Sequence, residues 1–110
     1  DDYKQFAEVC FKNLGDRVKN WFTFNEPHTY CCFSYGEGIH APGRCSPGMD
    51  CAVPKGDSLR EPYTAGHHIL LAHAEAVELF KACYNKVHTQ RETSTLSNKQ
   101  ATTSRMYLCI

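Results

Sequence analysis

The 110-residue chain has no block of basic residues and no stripe in which basic and aromatic side chains interleave. Nucleic-acid-binding proteins carry such a footprint, so no polyanionic partner is expected. Lys plus Arg and Asp plus Glu balance at 12 each, giving zero formal net charge. An apolar run long enough to span a bilayer is also missing, so no membrane partner is expected. The opening Asp1-Asp2-Tyr3-Lys4 is neither the basic nor the apolar part of a secretory signal, and no initiating Met precedes it. The chain therefore reads as the interior of a longer one. None of the five Asn residues begins an Asn-x-Ser/Thr sequon, so glycosylation is not expected. There are no internal repeats.

Cysteine is abundant by contrast, with seven in 110 residues. The spacings give no paired C-x-x-C zinc sites, and the vicinal Cys31-Cys32 is not a C-x-x-C redox pair. Cys45 and Cys51 bracket a short loop whose Pro47 and Gly48 favour a turn. Spacing alone leaves two readings open, a local disulfide in an oxidising compartment or two free surface thiols. Cys10 and Cys83 fall on apolar helix faces and are expected to be buried thiols. His67, His68 and His73 share a helix without i, i+4 spacing, so no metal site is expected. No other cofactor is expected either.

Periodicity organises the chain. Tyr3, Phe6, Val9, Cys10 and Leu14 recur at helical spacing, which predicts a helix over residues 1–14, stopped by Gly15 in a left-handed conformation. Residues 17–24 are rich in β-branched and aromatic types and end in an apolar run, as a buried strand does. Pro27 lacks a backbone donor and ends the ladder, so Asn25 and Glu26 stand where the strand leaves its sheet. Residues 28–60 read as irregular because of their many Gly and Pro. A helix is predicted over residues 61–87, with Pro62 in its first turn and a stripe of Ile69, Leu70, His73, Ala76, Val77, Phe80, Tyr84 and Val87. Ser58 and Glu61 match a capping box that competes with this start. Residues 88–104 hold one apolar residue besides Ala, so 88–110 reads as a disordered tail, with a strand-like run only at 106–110. The order helix, strand, loop, helix is α/β, and one strand leaves its backbone groups in need of neighbours.

Glu26 is the candidate catalytic residue. A carboxyl group at the carboxyl end of a buried strand is where barrel enzymes place their chemistry, and partial burial would raise its pKa as a general acid requires. Asn25 offers an amide suited to a sugar hydroxyl. His28 follows and could line the leaving-group side of a pocket. As three residues alone, Asn-Glu-Pro is a weak motif that fits a solvated strand end better than a catalytic site.

The wider segment Asn20-Trp21-Phe22-Thr23-Phe24-Asn25-Glu26-Pro27 resembles the acid/base strand of family 1 glycoside hydrolases. Cys10 to Lys19 is similar to the helix and turn leading into it. Ala41-Pro42-Gly43-Arg44-Cys45-Ser46 and Glu61-Pro62-Tyr63-Thr64-Ala65-Gly66-His67-His68 are similar to the plant members. The resemblance covers residues 1–87, beyond which the sequence diverges. It implies a piece of a (β/α)₈ barrel comprising the third helix, fourth strand and fourth helix, incomplete as an independent fold. It implies a retaining β-glucosidase acting on a small-molecule β-glucoside, with Glu26 as acid/base and Asn25 on the sugar 2-hydroxyl. It also implies a Cys45–Cys51 disulfide and, with that bridge, a parent in the secretory pathway, extracellular or vacuolar. Thioglucosidases of the family carry Gln in the place of Glu26, which disfavours that activity.

The family's nucleophile lies in a Thr-Glu-Asn-Gly-like motif, which does not occur here, so the chain alone is expected to be inactive. Two other readings compete. One is a non-catalytic product that binds a sugar or a partner through residues 28–60; the other is the unfolded product of a frameshift, retained intron or faulty gene model.

Overall fold

A computed structural model describes residues 2–84 and 105–109. In order they form α1 (Asp2–Leu14), β1 (Asn20–Asn25), α2 (Pro27–Tyr35), α3 (Glu61–Leu79), a π-helical continuation of α3 (Phe80–Tyr84), and β2 (Arg105–Cys109). Three helices and a two-stranded parallel sheet make a small α/β piece. A hairpin cannot join parallel neighbours, and α2 and α3 lie in the connection between them. The described residues fall into two compact units, one within Asp1–Thr23 and Ala72–Leu108, the other within Phe24–Leu71 and Cys109–Ile110.

The first unit has an aromatic core. Ala7 and Phe11 of α1, Ala76 of α3 and Phe80 are buried, with Tyr3, Trp21, Leu79, Tyr84 and Met106 packed around them. Phe11 sits at the centre, its ring 5.0 Å from Trp21 and 5.3 Å from both Phe80 and Tyr84. The core-facing stripe of α1 is thus Tyr3, Ala7 and Phe11 at i, i+4, i+8, with Tyr3 partly buried. The sequence stripe is only partly realised, since Phe6, Val9 and Leu14 remain exposed. Apolar residues wrap more of α1 than this unit can cover. Cys10 is half-buried and Cys83 exposed, where both were expected inside. Gly15 ends α1 without a positive φ. Its small size matters for another reason: a Cβ there would collide with the Phe11 carbonyl oxygen, which accepts a bond from the Gly15 N–H.

Strand β1 alternates along its first residues. Trp21 and Thr23 are partly covered, while Phe22 is 64% exposed, because a two-stranded sheet leaves one face open. Phe22 stacks on Tyr107 of β2 at 5.4 Å, the cross-strand pairing that stabilises such a ladder. Arg105 to Cys109 form β2, which overlaps the strand-like run at 106–110 within the tail otherwise predicted as disordered, and the Arg105 N–H donates to the Lys19 carbonyl. The rest of that predicted tail, and Val87 with it, lies outside the described residues.

The second unit corrects the irregular stretch predicted from residue 28. Pro27 to Tyr35 form helix α2, and Gly36 follows its last turn. Pro27 occupies the first helical position, where its missing N–H costs nothing. The breakers that suggested a loop begin only at Gly36. Helix α3 starts at Glu61, with Pro62 in the first turn as expected. The competing capping box does not form: the Ser58 N–H donates to Ser46 Oγ at 2.9 Å, and Glu61 turns to Arg44. No described helix is long and apolar enough to cross a membrane.

Candidate functional site

The site is built on a single-residue junction. Strand β1 ends at Asn25, helix α2 begins at Pro27, and Glu26 alone makes the turn between them. Its backbone is left-handed, φ 44° and ψ 59°, a conformation uncommon outside Gly and Asn. The Glu26 carbonyl accepts the Tyr30 N–H at 3.0 Å and so starts the helix. The carboxylate does not cap the helix. Asn25, Glu26 and His28 are all exposed. The partial burial expected of Glu26 is therefore not provided by this chain's own residues.

Neither of two recesses beside the junction brings the three candidate residues together. Asn25 borders a recess of about 420 Å³ with Phe24, Tyr30, Tyr35 and His68. His28 borders another of about 730 Å³, and Glu26 lines neither. The His28 Nε2 lies 3.6 Å from the Cys32 Sγ, one helical turn along α2. Next to it, Cys31 is buried, and burial, with the neighbouring Cys32 second, pushes its thiol pKa up. His67 and His68 are exposed with rings 5.8 Å apart. In the first unit, His73 Nδ1 shares a 2.8 Å hydrogen bond with Thr23 Oγ1, and Tyr3 donates to the Thr23 carbonyl at 2.6 Å. Among the described residues no three His, Cys, Asp or Glu side chains group as metal ligands.

The segment after α2 is ordered by its own polar bonds and one covalent one. Cys45 and Cys51 are disulfide-bonded, with Cα atoms 6.2 Å apart. Closing so short a loop is worth about 2 kcal/mol in the chain-entropy account. Cys45 is fully buried, and Gly38 and Gly43, both at positive φ, let the chain pass close to Cys51 and Ala52. Ser46 and Ser58 exchange bonds, and the Ser58 hydroxyl donates to the Gly36 carbonyl at 2.6 Å.

Arg44 grips Glu61 with two parallel bonds, Nε to Oε2 at 2.9 Å and Nη2 to Oε1 at 2.5 Å, tying this segment to the start of α3. Sequence reasoning missed the pair and read Glu61 as a capping-box partner of Ser58 instead. The Arg44 hydrogen bond, with its charge, holds the Glu61 carboxyl below the usual carboxylate range. A lowered folded pKa means the contribution is present above the unfolded value and lost as pH falls through the folded one. The urea midpoint should therefore show an acid limb beginning below about pH 4.3. Glu61→Gln should lack that limb, and the effect should be small because both side chains are partly solvated, at 34% and 27%.

Comparison with known proteins places these features. The model of glycosyl hydrolase family 1 matches residues 1–106. Over 86 residues the chain is 99% identical to the wheat (Triticum aestivum) 4-hydroxy-7-methoxy-3-oxo-3,4-dihydro-2H-1,4-benzoxazin-2-yl glucoside β-D-glucosidase 1a, chloroplastic, covering 78% of this chain and 15% of the relative. The rye (Secale cereale) protein of the same description, also chloroplastic, is 90% identical over 86 residues, again 78% and 15%. The maize (Zea mays) β-D-glucosidase 1 of that description, chloroplastic as well, is 66% identical over 90 residues, 82% of this chain and 16% of the relative. The chain thus spans about a sixth of the length of these proteins. Their chloroplastic names overturn the expectation of a secretory parent. That expectation ran from a cysteine pair to a compartment, but a disulfide reports the balance between its own stability and the surrounding thiol pool, not a targeting route. With 106 of its 110 residues matched, the chain belongs to glycosyl hydrolase family 1.

Proposed function

We propose that this chain is the acid/base segment of a retaining β-glucosidase that hydrolyses β-D-glucosides, of the benzoxazinone type for which its relatives are named. The observation that carries the reading is the Asn25-Glu26 junction at the exit of β1, in a chain of this family. On this reading the chain supplies the third helix, fourth strand and fourth helix of a (β/α)₈ barrel. The rest of the barrel covers Glu26 and supplies the nucleophile. Glu26 protonates the leaving glycosidic oxygen, then takes a proton from the water that opens the glycosyl-enzyme. Asn25 holds the sugar 2-hydroxyl, and His28 borders the leaving group. The parent resides in the chloroplast, as its relatives' names state for them.

Retention requires two carboxyl groups about 5–5.5 Å apart. The sequence has no Thr-Glu-Asn-Gly motif to supply the second, so the chain alone is inactive. The test is a pair of assays with an aryl β-glucoside. The isolated chain should give no turnover. The wheat relative with its matched 86 residues replaced by this chain's should turn over normally, and lose that activity with Glu26→Gln. Turnover by the isolated chain, or an unaffected Glu26→Gln chimera, contradicts the proposal.

A further inference from the structure

Between α2 and α3, inside the second unit, runs an open groove of about 730 Å³. Its lining is mainly apolar, with Pro62, Tyr63, Ile69 and Leu70 of α3 on one side. On the other stand His28 and Cys32, whose Nε2 and Sγ are 3.6 Å apart. Spacing of i, i+4 stacks the two on one face of α2. The groove thus brings together a thiol, a base within reach of its proton, and an apolar bed. Cys31 borders the same groove but is buried, and the base stands beside Cys32.

From this juxtaposition we infer that Cys32 is a covalent modification site for an electron-poor alkene with an aromatic body. His28 Nε2 takes the thiol proton. The sulfur lone pair forms the S–C bond at the β-carbon, and the alkene π pair moves to the α-carbon. That carbon takes the proton back from the imidazolium, so the addition needs no oxidant and releases no leaving group. Tyr63 and Leu70 hold the aromatic body while the bond forms. The site shares His28 with the glycosidase reading but needs neither Glu26 nor a sugar.

N-phenylmaleimide is the probe and the exposed thiol Cys83 the internal reference. In the native 110-residue chain, peptide mapping should find Cys32 labelled roughly tenfold faster than Cys83, although Cys83 is more exposed. The ratio should fall to about one in urea, where position no longer matters. His28→Gln should bring Cys32 down to the Cys83 rate, with helix content followed by circular dichroism. Should that variant lose its helices, Leu70→Ser decides, since an exposed position tolerates the change. It should abolish the preference of Cys32 for N-phenylmaleimide over N-ethylmaleimide. Cys83 labelling as fast as Cys32 in native buffer overturns the inference. So does an unchanged Cys32 rate in a folded His28→Gln chain, or an aryl preference that survives Leu70→Ser.

Discussion

Glu26→Ala in a full-length protein carrying this segment should lower turnover of alkyl β-glucosides by about a hundred- to ten-thousand-fold, the usual worth of a positioned acid. Formation of the glycosyl-enzyme from a dinitrophenyl glucoside should fall far less, because that leaving group departs without a proton. Breakdown of the intermediate should then become slow, since no base remains to activate water. Added azide should restore turnover on the activated substrate, as a small anion needs no base, and the product should be the β-glucosyl azide. Product stereochemistry separates the two roles a carboxylate can hold here. A nucleophile variant gives the α-azide by direct displacement. An α product, or equal losses on both substrates without rescue, would assign Glu26 the other role.

Phe11→Ala should have the largest effect on stability. The ring is buried and meets three other aromatic rings. Removing it deletes the transfer energy, leaves a cavity, and ends three ring–ring contacts, for a loss of about 3–5 kcal/mol. A domain of this size has only about 5–15 kcal/mol in hand. The substitution should abolish the near-ultraviolet signal of Trp21 and shift the urea midpoint far to lower concentration. Phe6→Ala makes the contrast. It removes an equal ring that is 62% exposed on the same helix and should move the midpoint little. A larger effect of Phe6→Ala than of Phe11→Ala would mean that α1 packs by the other face.

How far the sequence carried this picture varies with the kind of signal. Periodicity located α1 and the start of α3, because a 3.6 repeat survives without knowledge of neighbours, and β-branched and aromatic content located β1 to within a few residues. It failed to say which half of α1 is buried. Phe6 and Val9 are as apolar as Ala7 and Phe11, and only the partner decides. Helix α2 escaped because its Cys, Tyr and Phe residues carry no amphipathic stripe, and the Gly-rich residues behind it coloured the whole stretch. Local chemistry in the next segment was half legible. The loop composition suggested that Cys45 and Cys51 could meet, but the Arg44–Glu61 grip depends on a fold-back across 17 residues that no local rule reports. At the candidate site, the sequence placed Asn25 and Glu26 at the strand exit. It gave no hint that Asn25 and His28 border separate recesses, since that is decided by the one-residue turn between strand and helix.

That turn sets a conflict between endurance and use. A left-handed backbone at a residue with a side chain costs about 1–2 kcal/mol, and Glu26 recovers none of it by capping the helix it begins. Selection for thermal robustness alone would install glycine or asparagine there. A stabilising redesign guided by backbone preference would therefore single out position 26 early, gain in melting temperature, and erase the carboxylate that this segment brings to the proposed chemistry.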